Sequence, residues 1–119
     1  MVRHIVFFSA KRDSDIGAIV SGLSILARIP HVRRFEVAKN RKTDPLSAEV
    51  DIVVYGEFDD EAALNAYKAH PIYEEATQRV RPLRDLRIAA HYDVDDAWVS
   101  SDPNGPSKQL SKNEVPAAQ

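Results

Sequence analysis

Fifteen consecutive residues, 57 to 71 (EFDDEAALNAYKAHP), constrain the fold more than any other part of the chain. They close a β-strand, open a helix on three acids and stop that helix at a His-Pro step. Asp59, Asp60 and Glu61 suit a helix N-terminus, where unsatisfied N–H groups and the positive end of the macrodipole favour carboxylates. Leu64 and Tyr67 share one helical face, and His70 continues it at the next i+3 step. Pro71 excludes the α conformation at His70 while being a good first residue for a new helix. A strand, a helix and a helix restart are therefore expected here, with two side chains capable of acid–base chemistry at the joint.

The flanking segments supply the rest of an alternating pattern. Residues 2–9 are rich in β-branched and aromatic types and read as a strand, apolar on both faces after its first residues. Asp13 or Ser14 is placed to cap a helix in which Ile16, Ile19, Val20, Leu23 and Ala27 form one stripe, widened by Ile25 and Ile29 and ended by Pro30. Gly17 and Gly22 each weaken that helix by about 1 kcal/mol, so packing on a sheet must hold it. Residues 32–40 form a second strand, with Phe35 and Val37 opposite Arg34 and Glu36. A polar loop (41–46) leads to a third strand at 50–58, again apolar on both faces. The interrupted helix runs from Asp59 to about Val80. Residues 86–94 form a fourth strand, with Leu86, Ile88, Ala90 and Tyr92 opposing Arg87, Ala89, His91 and Asp93.

The order β-α-β-β-α-β specifies an α+β, ferredoxin-like protomer: a four-stranded antiparallel sheet with two helices on one face. Helices cover only that face, so the apolar residues on the other need a partner. A second copy about a two-fold axis supplies one, giving a homodimer built sheet to sheet as a dimeric α/β barrel. The domain spans 1–94. Residues 95–119 change to a Pro-, Ser- and Asn-rich composition, and the expectation is that this extension packs along the partner subunit with Trp98 as its anchor.

Several function classes lose support from composition. A net charge of −2 over 119 residues gives no global attraction to nucleic acid or anionic membrane. No cysteine is present, so thiolate metal sites, disulfides and cysteine nucleophiles are absent. The first apolar run, residues 5–8, is too short for a signal-peptide core and no run approaches a membrane span, so a cytoplasmic location is expected. Arg33, Arg34, Lys39, Arg41 and Lys42 form one basic cluster, and Arg79, Arg81, Arg84 and Arg87 another. Neither internal strand carries the aromatic platform with which RNA-binding domains of this topology stack bases. The arginines are expected to pair with acids instead. His70 and Glu74 lack a third ligand, so no metal is expected, and no other cofactor. His31 reads as surface, and His91 as an Asp–His or stacking contact on the sheet.

The first-strand histidine His4, the strand end Gly56-Glu57-Phe58-Asp59-Asp60, the helix leading through Ala66-Tyr67-Lys68-Ala69 to His70-Pro71, and Val94 at the end of the last strand together resemble the stress-responsive A/B barrel (Dabb) family over roughly residues 2–94. The resemblance implies a dimeric α/β barrel and, for most members, no established reaction. A plant member is a polyketide cyclase that closes an aromatic ring by an intramolecular aldol reaction, using histidine and tyrosine and no metal. His4, Tyr67 and His70-Pro71 match that pattern, but the family's H-P-x-H becomes His70-Pro71-Ile72-Tyr73. A phenol of pKa ≈ 10 is only ~0.1% ionised at neutral pH, so Tyr73 can donate to an oxyanion but replaces the base poorly. The cyclase activity therefore does not carry over.

The reading that follows is a small-molecule-binding dimer with a hydrophobic pocket under the second helix, contacted by His4, Tyr67, His70 and Tyr73. An enzymatic version moves a proton at His4 or His70 of a carbonyl compound and steadies an oxyanion with Tyr67 or Tyr73. A non-catalytic interaction or stress-protection dimer is the third alternative, in which Tyr67 packs, His70 bonds backbone at the break and His4 is a paired strand residue.

Overall fold

The computed structural model describes residues 1–100. Four strands, β1 (Val2–Ala10), β2 (Arg34–Lys39), β3 (Ile52–Phe58) and β4 (Arg84–Asp93), form one antiparallel sheet in the order β2-β3-β1-β4. Helices α1 (Ile16–Ser24), α2 (Glu61–Ala69) and α3 (Pro71–Val80) connect them. The topology is the ferredoxin-like α+β arrangement that the element order specifies.

Register decides which side chains meet the helices. His4 lies opposite Gly56 on one side and His91 on the other, so Val2, His4, Val6 and Phe8 share a face with Ile52, Val54, Gly56 and Phe58. All of these are buried. Ile19, Leu23, Leu26 and Ile29 come down on them from the first helical segment, and Leu64, Tyr67, Ala76 and Val80 from the second. Burying each Leu, Ile or Val contributes about 1.5–3 kcal/mol. The opposite face keeps Phe7, Ile88 and Tyr92 exposed beside the half-buried Ile5, Val53 and Tyr55.

The first helical segment departs from its expected phase and cap. Neither Asp13 nor Ser14 caps it; a 3₁₀ turn over Asp13–Asp15 leads in, and Arg12 pairs with Asp15 at 3.0 Å. After Ser24 the helix tightens into a second 3₁₀ turn, Ile25–Arg28. A three-residue period then replaces 3.6, which brings Leu23, Leu26 and Ile29 onto one line and leaves Ala27 exposed. Gly22 sits where α1 crosses α3: an added Cβ would lie 3.1 Å from Val80 Cγ2.

The three acids at the start of α2 divide their work. Asp59 binds Arg33 at 2.7 Å, Asp60 accepts the Ala63 N–H at 2.8 Å as the N-cap, and Glu61 bonds His91 at 3.2 Å. His70 is extended (φ −72°, ψ 143°), as a residue before proline must be, and its Nδ1 accepts the Ile72 N–H at 3.1 Å to cap α3. Beyond β4, Val94–Asp96 form a 3₁₀ turn and Trp98 is 54% exposed. Most of the C-terminal extension, residues 101–119, lies outside the described residues, and with it the expected packing on a partner.

Candidate functional site

Between the sheet and α3, closed on one side by the α1 segment, lies a cleft of about 290 Å³. This is at the lower end of the ~300–1,000 Å³ typical of small-molecule sites. The restart at Pro71 builds one wall. Starting a new helix there sets a phase in which Tyr73, Ala76, Thr77 and Val80 face the sheet at i, i+3, i+4 and i+7. Val6, Phe8 and Val54 form the floor, and Leu23 and Leu26 the far wall.

His4, Tyr67 and Tyr73 line this cleft together. They belong to a continuous run of rings: His91 to His4 (5.7 Å between centroids), His4 to Phe58 (6.4 Å), Phe58 to Tyr67 (4.8 Å) and Tyr67 to Tyr73 (5.3 Å), the last three edge-on. Edge-on pairs are worth about 0.5–1.5 kcal/mol each beyond their burial, so the run holds its members in place. Gly56 gives it room. A Cβ there would meet the Phe58 ring at 3.0 Å, and that ring supports both His4 and Tyr67.

The electrostatics of the three differ. His4 is 2% exposed and its Nδ1 is buried without a hydrogen-bond partner among the described residues. Burial, reinforced by Lys68, His91 and Arg87 nearby, pushes its pKa down to about 4, so the ring is neutral at pH 7. Burial likewise pushes the Tyr67 phenol up, with Tyr73 adding to the effect, and keeps it protonated. The Tyr73 hydroxyl accepts from Arg87 Nη2 at 3.3 Å, which leaves its own proton available to a ligand.

His70 is not among the residues lining the cleft. Its Nδ1 is committed to the α3 cap, so its place is at the helix joint. Among the described residues no three His, Asp or Glu side chains come together as metal ligands, and no helix is long and apolar enough to cross a membrane. His31 is exposed. The His91 ring meets that of His4 at a tilt of 53°, and its acid partner is Glu61 of α2 rather than Asp93, which lies 4.0 Å from the N-terminus.

What the sequence did not reveal is where the second basic cluster lies, since its arginines were expected to pair with acids. Arg81, Arg84 and Arg87 line the cleft, whereas Arg79 is the one member of that group that pairs with an acid among the described residues, Glu75 at 2.6 Å. Spacing gave a partial signal: Arg87 is the β4 residue opposite Phe8, a core residue, and Arg84 lies opposite Ala10.

A ferredoxin-like sheet with a cleft under the second of its helical layers defines a class of small α+β domains. The sequence profile of the stress responsive A/B barrel domain family matches residues 2–94, and the chain belongs to that family. Solved structures agree on the fold. A dimeric ferredoxin-like protein of unknown function from Thermobifida fusca is 23% identical with a TM-score of 0.67, over 78% of this chain and 90% of that one. A Dabb family protein with a ferredoxin-like fold from Mesorhizobium loti is 25% identical with a TM-score of 0.66, over 77% and 94%. A dimeric ferredoxin-like protein of unknown function from Jannaschia has 21% identity and a TM-score of 0.69, over 78% and 98%. No curated protein matches the chain.

Proposed function

We propose that this protein is a homodimer that binds a small, largely apolar molecule in the cleft, with His4, Tyr67 and Tyr73 as its polar contacts. One observation carries the reading: His4, a buried histidine whose Nδ1 has no hydrogen-bond partner among the described residues, lines the same cleft as two tyrosines. An unbonded buried polar atom costs about 1–3 kcal/mol, a cost a bound ligand can offset. The dimer is supported by the apolar outer sheet face and by relatives described as dimeric.

The acid–base alternative has a specific observation in its favour: a neutral imidazole and a phenol held by Arg87 line one space. Basicity weighs against His4 as the catalyst. A pKa near 4 lies well below the operating pH at which a general base works best. Binding is therefore the better-supported role, and Tyr73 remains suited to donate to a carbonyl oxygen.

Native mass spectrometry of the purified dimer tests the proposal. A discrete small-molecule adduct is expected on the wild type and is expected to vanish in Thr77→Trp, whose indole would fill the cleft. An adduct that survives in the folded Thr77→Trp protein would place the ligand elsewhere and defeat the reading.

A further inference from the structure

Three arginines face one concave, mostly apolar space. Arg81 follows the last turn of α3, and Arg84 and Arg87 stand on β4. Elsewhere four arginines meet carboxylates: Arg12 with Asp15 at 3.0 Å, Arg33 with Asp59 at 2.7 Å, Arg34 with Glu36 at 2.6 Å and Arg79 with Glu75 at 2.6 Å. The dispersed Arg3, Arg28 and Arg41 have no ion pair among the described residues. The cleft three make no ion pair with any described residue. Their hydrogen bonds go to neutral acceptors, Arg84 Nη1 to the Asp85 carbonyl at 3.1 Å and Arg87 Nη2 to the Tyr73 hydroxyl at 3.3 Å.

Like charges around a concavity with low-dielectric walls repel one another and focus a positive potential into it. The negative end of the α3 dipole favours a cation at Arg81, but the effect fades beyond the last turn and does not explain Arg84 and Arg87. Apart from Thr77 the remaining lining is apolar and aromatic, so the cleft combines a largely apolar body site with a cationic mouth. Guanidinium forks match planar or tetrahedral oxyanions and are the usual means of reading them.

Resting on the cleft being a ligand site, we infer that its ligand is an organic anion: an apolar or aromatic body against Tyr67, Tyr73 and Leu26, and a carboxylate or phosphate on Arg81, Arg84 and Arg87. His4 then serves the body of the ligand and the arginines its charged end. The three arginines and the His4 imidazole are two parts of one recognition surface.

Isosteric probes separate this inference from the proposal beneath it. Binding of 2-naphthoate, 2-naphthyl phosphate and the neutral 2-acetylnaphthalene to the full chain would be measured by isothermal titration at low and high salt. At least one anion is expected to bind about tenfold or more tightly than the neutral ketone, with the advantage shrinking as salt rises. Which anion leads distinguishes a carboxylate from a phosphate ester. The advantage is expected to disappear in Arg81→Gln/Arg84→Gln and to persist in Arg33→Gln/Arg41→Gln, which removes the same charge elsewhere. A ketone that binds as tightly as both anions would overturn the anionic ligand and leave the cleft reading intact. An anion advantage equal in both double variants would also overturn it. Failure of all three probes to bind would defeat both.

Discussion

His4 occupies a core strand position, opposite Gly56 and His91, yet its Nδ1 has no hydrogen-bond partner among the described residues. Its pKa near 4 lies below the ~6.5 of an exposed histidine, so between these values the unfolded chain binds a proton that the folded chain does not. Its contribution to stability is therefore complete above pH 6.5 and is lost as pH falls toward 4, by up to about 3 kcal/mol. The melting temperature of wild type is expected to fall from pH 7 to pH 4.5 more steeply than that of His4→Phe. Equal slopes would mean that His4 is not the group responsible. Asp51 belongs to a different window. Burial opposes its charge, but Lys42 and the Ala10 N–H, at 2.7 Å, overcome that and lower its pKa, so its contribution is lost only below about pH 4.

At the scale of elements, the two glycines of α1 look alike in sequence and differ in space. Around Gly17 an added Cβ meets nothing within 4 Å, whereas at Gly22 it meets Val80 and Arg79 of α3. Gly17→Ala is expected to raise stability by about 0.5–1 kcal/mol, the ordinary helix-propensity gain. Gly22→Val is expected to lower it by about 1–3 kcal/mol through overpacking at the crossing. Urea unfolding of both variants checks the pair, and a Gly22→Val protein as stable as wild type would refute the close crossing. The same segment shows what periodicity can and cannot give. Ile16, Ile19 and Leu23 followed the α pattern, but the 3₁₀ turn that substitutes Leu26 for Ala27 in the core depends on how the chain must land on the sheet. The His70-Pro71 break, by contrast, follows from bonded sterics within two residues and was fully legible.

At the scale of the whole molecule, the sheet has one face under helices and one without. Phe7 and Tyr92 are each 38% exposed and Ile88 53%, and Arg3 Nε is buried on that face without a partner among the described residues. Surfaces of this kind are normally covered, and a second copy can cover it symmetrically. Light scattering is expected to give a dimer for wild type and a folded monomer for Ile88→Asp, because a carboxylate in an apolar interface must be desolvated. A wild-type monomer at micromolar concentration would refute the proposed assembly. If the dimer forms, the cleft lies on the opposite side of each sheet from the interface, so the two sites should bind ligand independently.

Local rules let the sequence determine the order of elements, the two faces of each strand, the helix restart and the membership of a family that these features mark. Those properties depend on neighbours one to four residues away. Tertiary structure alone decided that His4, Tyr67 and Tyr73 share a cleft while His70 turns to capping α3. It also decided that Arg81, Arg84 and Arg87 gather at that cleft and pair with no acid among the described residues. The physical reason is that partners of a side chain on β1 or β4 are chosen by sheet register and helix crossing, which join residues far apart in the chain. The fifteen residues from 57 to 71 specify a strand and a broken helix; the cleft they help to build is read from what the fold brings to face them.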